Sequence, residues 1–268
     1  MKKLEHFSEI YKSYDTFIVD LWGVMHDGIA LNLDAITTIE NLIASKKRVF
    51  FLSNAPRPNN KVINFLKKLK MQEKLLQNVL TSGEVAIKFL REKKFGNKFF
   101  HLGPEKDNSL YKGLEIKKTS LEMCDFILCT GLFHDYEQNL NYYKDLLKNS
   151  LSKKFICTNP DLIVHRGDTQ EYCAGKIAQI FENLGGEVIY FGKPYELVYN
   201  EILNTTEKSF IIGDNLNTDI KGANNLKLDS LFITGGVHRS EFKDENDLKN
   251  LLKKHNVNCN YFQKKLIW

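Results

Sequence analysis

Along most of the chain, short apolar runs alternate with longer stretches in which apolar positions recur every three or four residues. The runs are strand candidates: TFIVD (16–20), RVFFLS (48–53), KFFHL (98–102), DFILCT (125–130), KFICT (154–158), EVIYFG (187–192), SFIIGD (209–214) and SLFIT (230–234). Their Val, Ile and Phe content suits strands buried on both faces. Between them, Ile36, Ile39, Leu42 and Ile43 form one helical stripe, and Val62, Leu66 and Leu69 another. TSGE (81–84) has the form of a capping box, with Thr81 accepting from the Glu84 amide while Glu84 reaches back, so a helix starts there. Strand-like runs alternating with helices predict parallel βαβ units, and so an α/β protein, without settling whether the eight strands make one sheet or two. No internal repeat, low-complexity tract or Pro/Gly-rich linker interrupts the pattern.

Composition narrows the partners. With 268 residues, 43% apolar and 26% charged, the chain can bury a sizeable core. No apolar stretch nears the ~18 residues of a membrane span. The opening MKKLEHFSEIYKSYD has no apolar segment of the signal-peptide kind. Five cysteines, an odd number with no CxxC spacing, read as reduced thiols and not as a disulfide frame or zinc site. The expectation is a cytoplasmic protein without a membrane partner. The net charge of +5 comes from lysines scattered on helix faces, as in NFLKKLK and LKNLLKKHN, with no basic-aromatic motif beside them. That excludes nucleic acid as the expected partner and favours a small anionic molecule.

Four stretches carry the chemistry: VDLWGV, FLSNAPR, YFGKPY and IIGDNLNTDI. In open parallel sheets, ligands sit beyond the carboxyl ends of strands near a topological switch, and Asp20, Ser53, Lys193 and Asp214 all fall at or just past such ends. Two carboxylates emerging side by side repel unless a cation neutralises them, and an all-oxygen set suits Mg²⁺. Ser53 and Asn54 offer donors to an oxyanion, and Lys193 adds positive charge. Together they form a phosphate cradle with a carboxylate nucleophile in it.

In this order, the residues resemble the motifs of the haloacid dehalogenase superfamily of aspartate-nucleophile phosphatases. The likeness is to the branch with a type-IIA cap, which includes sugar-phosphate and p-nitrophenyl phosphate phosphatases. DLWGV matches the first motif with Asp20 as nucleophile. LSNAPR resembles the second, GKP supplies Lys193, and GDNLNTDIKGA supplies Asp214 as metal ligand with Asp219 supporting the metal shell. LTSGEVA and CTNPD resemble landmarks at the cap entrance and within the cap. The resemblance implies a Rossmann-like core, a doubly wound parallel sheet, from residues 1–80 and 186–268, with an inserted smaller α/β cap at 81–185. It also implies Mg²⁺ as cofactor and a small phosphorylated metabolite, such as a sugar phosphate, as substrate.

One position departs from the family. Its phosphatases carry D-x-D in the first motif, and the second Asp protonates the leaving group. Here that residue is Trp22. Residues i and i+2 of an extended segment face the same way, so Trp22 is expected to point with Asp20 toward the reaction centre. Its backbone carbonyl, a metal ligand in the family, is unaffected, but the indole cannot exchange a proton. Three accounts stay open: His26 or Asp27 substitutes as the acid; the substrate has an easy leaving group; or the chemistry differs. The last covers a binding or regulatory protein with weak turnover, or cleavage of carbon–halogen or carbon–phosphorus bonds. His165 and Arg166, just after TNPD, resemble substrate-facing cap residues, with a solvated loop as the plainer reading. His238 and Arg239 follow the last predicted strand on the same side of the sheet. The apolar C-terminal YFQKKLIW is expected to dock on the chain's own core, with a homodimer contact left open.

Overall fold

The computed structural model describes residues 1–166 and 169–268. Its strands are β1 (Lys2–Lys3), β2 (Thr16–Val19), β3 (Arg48–Ser53), β4 (Val79–Thr81), β5 (Lys98–Leu102), β6 (Lys117–Lys118), β7 (Phe126–Cys129), β8 (Lys154–Cys157), β9 (Ile163–Arg166), β10 (Thr169–Tyr172), β11 (Val188–Tyr190), β12 (Ser209–Gly213), β13 (Asp229–Ile233) and β14 (Tyr261–Gln263). The first sheet has the order β1-β14-β13-β12-β2-β3-β4, and every pairing in it is parallel. The chain runs outward from β2 through β3 to β4, then returns to the other side of β2 as β12. The strand order therefore reverses between β2 and β12, which creates a crevice at their carboxyl ends.

All eight runs read from the sequence are strands. Those that hold the site are buried along their length, as in β2 and β12. Helix α1 (Leu33–Ala44) buries Ala35, Thr38, Ile39 and Leu42, so its inward face is turned slightly from the predicted stripe and Ile43 is 43% exposed. Helix α2 (Asn59–Lys68) buries Val62 and Leu66 as predicted. At the start of helix α3 (Ser82–Arg91), Thr81 accepts from the Glu84 N–H at 3.0 Å. Glu84 does not reach back, however. Its carboxylate accepts from the Asn59 N–H at 2.9 Å, and the Asn59 side chain takes the Thr81 N–H at 2.9 Å. A tertiary contact has replaced half of the local box.

The second sheet has the order β11-β8-β7-β5-β6, again all parallel, and β9 and β10 form an antiparallel ribbon of their own. Strand β11, on the far side of the boundary expected at 186, pairs with β8 at the edge of this second sheet. The chain thus recrosses to the first sheet only at Gly192–Lys193. One apolar cluster joins the two sheets: Ile18, Leu52 and Ile211 of the first pack in the same core as Phe99, Phe126 and Ile156 of the second. The C-terminus docks on the chain itself, with Leu266 buried, the Trp268 ring tilted against Tyr11 at 4.8 Å between centroids, and the Trp268 carbonyl 2.7 Å from His6 Nδ1. All five cysteines are buried and unpaired. Among the described residues, no helix is long and apolar enough to cross a membrane.

Candidate active site

Strands β2 and β12 lie in parallel register, Val19 opposite Ile212, and the Asp20 N–H continues the ladder to the Ile212 carbonyl at 2.9 Å. Asp20 and Asp214 therefore leave the sheet side by side. Lys193 arrives from the opposite direction, at the return from the second sheet. Its ammonium pairs with Asp20 Oδ1 and lies 2.7 Å from Asp219 Oδ1. Asp20, Lys193, Asp214 and Asp219 are all buried.

The surroundings show what Asp214 is held for. Its Oδ2 accepts from the Val237 N–H at 2.7 Å. A Cβ built on Gly23 or Gly236 would stand 2.0 Å from that same oxygen, and Gly23 also has φ of +90°, which disfavours any side chain. The glycine of the first motif thus clears space for the second carboxylate. Asp219 Oδ2 takes the Asn215 N–H at 3.1 Å.

One carboxylate oxygen from each of Asp20, Asp214 and Asp219 can be chosen so that all three lie within 4.8 Å of one another. Burial pushes the Asp20 carboxyl up from its ordinary value; Lys193 opposes this and Asp219 adds to it. Asp214 is raised by burial and then by Asp20 and Asp219. Burial by itself lowers Lys193, but Asp20, Asp219 and Asp161 together outweigh it and hold the ammonium charged. Ionised together, three buried carboxylates against one ammonium would leave uncompensated negative charge, and the donor set is hard oxygen. The residues fit a divalent cation of the Mg²⁺ kind.

Asn54 is buried beside Lys193, and its side chain fastens the lysine's own peptide. The Lys193 N–H donates to Asn54 Oδ1 at 2.8 Å, and Asn54 Nδ2 donates to the Lys193 carbonyl at 3.1 Å. Ser53, at the end of β3, lines the cleft. The sequence reading did not single out Asp161, the acid of TNPD. Its Oδ1 faces the amides of Asn54 at 3.3 Å and Asn215 at 3.4 Å, and burial, opposed by Lys193, raises its carboxyl to about 6. Only the landmark TNPD pointed there, because the residue comes from the second sheet.

Trp22 stands over the nucleophile loop. Its indole N–H donates to the His165 carbonyl at 2.7 Å, and the Arg166 guanidinium sits 5.2 Å from the ring centroid. Arg166 is itself paired with Glu171 across the ribbon at 2.9 Å. The His26 ring packs edge-on to Trp22 at 5.1 Å, and its Nδ1 accepts from the Gly28 N–H at 3.0 Å. Burial lowers the His26 pKa to about 4, so the ring is neutral near pH 7. Asp27 accepts from the Ile29 and Ala30 N–H groups at 2.9 and 2.8 Å, and these bonds hold its carboxyl low. His238 is engaged behind the site: its Nε2 takes the Leu216 N–H at 3.1 Å and its Nδ1 meets Glu241 at 2.6 Å. Arg239 lines the cleft.

The cleft has a volume of about 1320 Å³ and is walled by the carboxyl end of the first sheet on one side and by the ribbon on the other. The arrangement can hold a phosphoryl group against Asp20, with positive charge on one flank and room for a small organic group above.

A family model described as haloacid dehalogenase-like hydrolase matches residues 17–117, and one described as HAD-hydrolase-like matches residues 190–253. Among solved structures, a haloacid dehalogenase-like family hydrolase from Brucella suis 1330 superposes with a TM-score of 0.86 at 29% identity, over 98% of this chain and 100% of that one. A p-nitrophenyl phosphatase from Archaeoglobus fulgidus shares the fold, with a TM-score of 0.74 at 19% identity over 94% and 97% of the two chains. Phosphoglycolate phosphatase 2 of Arabidopsis thaliana is 24% identical over 262 residues, covering 87% of this chain and 86% of its own.

Proposed function

We propose that the chain, a phosphatase of the haloacid dehalogenase-like hydrolases, is a Mg²⁺-dependent, aspartate-nucleophile phosphohydrolase acting on a small phosphorylated metabolite. The observation that carries this reading is the buried group of Asp20, Lys193, Asp214 and Asp219 at the strand-order reversal. Asp20, Asp214, the Trp22 backbone carbonyl and, in support, Asp219 would hold Mg²⁺. The ion, when bound, offsets negative charge on the phosphoryl oxygens.

Asp20 supplies the electron pair that forms the new O–P bond, and the leaving group departs with the electrons of the old one. Lys193 neutralises charge on the phosphoryl oxygens and, in the absence of substrate, opposes the rise that burial and Asp219 impose on the Asp20 carboxyl. Asn54 orients that lysine, and Ser53 lies in position to donate to the phosphoryl group. Water then attacks the phosphorus of the aspartyl-phosphate and returns Asp20 as a carboxylate. The core and ribbon close over the reacting group and limit access of bulk water.

Trp22 supports a second reading, a phosphometabolite-binding protein with little turnover, because its one donor is engaged by the His165 carbonyl. A panel of phosphorylated metabolites and p-nitrophenyl phosphate, assayed with and without Mg²⁺, tests the proposal. Phosphate release that requires Mg²⁺ supports a phosphohydrolase. Saturable binding without release would favour the second reading.

A further inference from the structure

The two main sheets share an apolar cluster, so the second sheet is fixed to the first as a body. The ribbon of β9 and β10 is different. It pairs with neither main sheet, its described residues are half-buried or exposed, and it forms one wall of the cleft. A two-stranded ribbon is marginal on its own, so its position depends on what it touches.

What it touches at the nucleophile loop is Trp22. The indole N–H meets the His165 carbonyl, and the ring lies under Arg166, which Glu171 holds from the other strand. The loop is shaped around this side chain. A Cβ on Gly28 would stand 2.6 and 2.7 Å from the indole ring, at a residue whose φ is +89°. His26 seals the indole's flank edge-on. A tryptophan merely tolerated in place of a smaller residue would need neither a cleared floor nor a partnered donor.

We propose that Trp22 is a positioning residue that pins the ribbon over Asp20, through its indole N–H on the His165 carbonyl and its ring beneath Arg166. The loop that carries the nucleophile thereby also sets how closely the cleft shuts on the substrate. The Trp22 side chain acts through the ribbon and not on the reacting atoms. This rests on the phosphohydrolase reading only for its kinetic consequence.

The test is hydrogen exchange of the intact protein, read by mass on peptides from β9 and β10, for wild type, Trp22→Phe and Arg166→Gln. Trp22→Phe keeps a ring and removes the donor, and losing one hydrogen bond should speed ribbon exchange about fivefold, with β5 and β7 unchanged. Arg166→Gln should speed it about twofold, because the contact over the ring is lost together with the exposed pair to Glu171, which contributes little. In parallel, KM for p-nitrophenyl phosphate should rise about fivefold in Trp22→Phe, a larger change than that in kcat. Ribbon exchange equal to wild type in Trp22→Phe would overturn the proposal. So would acceleration spread equally over β5 and β7, or a fall in kcat with KM unmoved. If no variant, wild type included, releases phosphate, the phosphohydrolase reading fails and ribbon exchange alone decides the role of Trp22.

Discussion

Asn54 and Lys193 stand 139 residues apart and exchange two hydrogen bonds, the lysine's N–H to the side-chain oxygen at 2.8 Å and the side-chain amide to the lysine's carbonyl at 3.1 Å. The second motif therefore acts on the third through its backbone, and the ammonium beside Asp20 is aimed by a residue on another strand. Asn54→Ala should leave Lys193 present but loosely placed. Phosphate release should fall about 10²-fold, the size expected of a displacement near 1 Å, with the far-ultraviolet spectrum unchanged. Activity within about threefold of wild type would show that Lys193 needs no such clamp.

Metal binding is predicted to depend on Asp214. In the absence of Mg²⁺ this carboxyl is raised by burial and by Asp20 and Asp219, so Asp214→Asn should melt higher than wild type in chelator. The same variant should lose the rise in melting temperature that millimolar Mg²⁺ gives the wild type, because a hard anionic ligand is gone. Thermal melts with and without Mg²⁺ check both halves, and an equal Mg²⁺ response in the two proteins would remove Asp214 from the metal site.

A neutral His26 cannot serve as the proton donor near pH 7, and pH tests this. His26 is held neutral, with its pKa lowered to about 4 by burial, against an ordinary 6.5. A histidine of this kind contributes stability that is full above pH 6.5 and is lost as pH falls toward 4, since the unfolded chain takes the proton first. His26→Gln should therefore be costly at pH 7 and about 2 kcal/mol less costly at pH 5, since each pK unit is worth about 1.4 kcal/mol. Urea melts of both proteins at the two pH values give the difference directly. A cost that does not change with pH would mean that His26 carries a proton in the fold.

With His26 neutral, Asp27 ionised and the indole engaged, the leaving group departs without a proton from these residues. Rates across a series of aryl phosphates should fall steeply as the leaving-group pKa rises. Trp22→Asp should flatten that slope and speed the poorest leaving groups by up to about 10²-fold, the range general acid catalysis supplies. The slope is the test, since the smaller side chain also unpins the ribbon and raises KM across the whole series. A shallow slope in wild type would reveal a proton donor already in place.

The sequence shows the first sheet more fully than the second, for physical reasons. Strands β2 and β12 are buried along their length, and with the VFFL of β3 they announce themselves as apolar runs. Strand β4 is only Val79–Thr81, too short to stand out beside the helix it feeds, and β9 and β10 are polar and half-exposed, so neither period shows in them. Asp20, Lys193 and Asp214 are legible because each ends or follows a strand. Asp161 is not, because its place beside Asn54 and Asn215 depends on how the second sheet packs on the first. The i, i+2 rule places Trp22 on the same side as Asp20, but it does not reveal that the indole reaches past the site to the His165 carbonyl. That partner lies 143 residues away.

The central claim is that Asp20 attacks phosphorus, and phosphate release by Asp20→Asn tests it most directly. An amide is a poor nucleophile, so release from p-nitrophenyl phosphate in saturating Mg²⁺ should fall by at least about 10³-fold, while the variant, relieved of one buried charge, melts no lower than wild type without metal. Release at a rate comparable to wild type from a protein shown by mass to carry the amide would contradict the account.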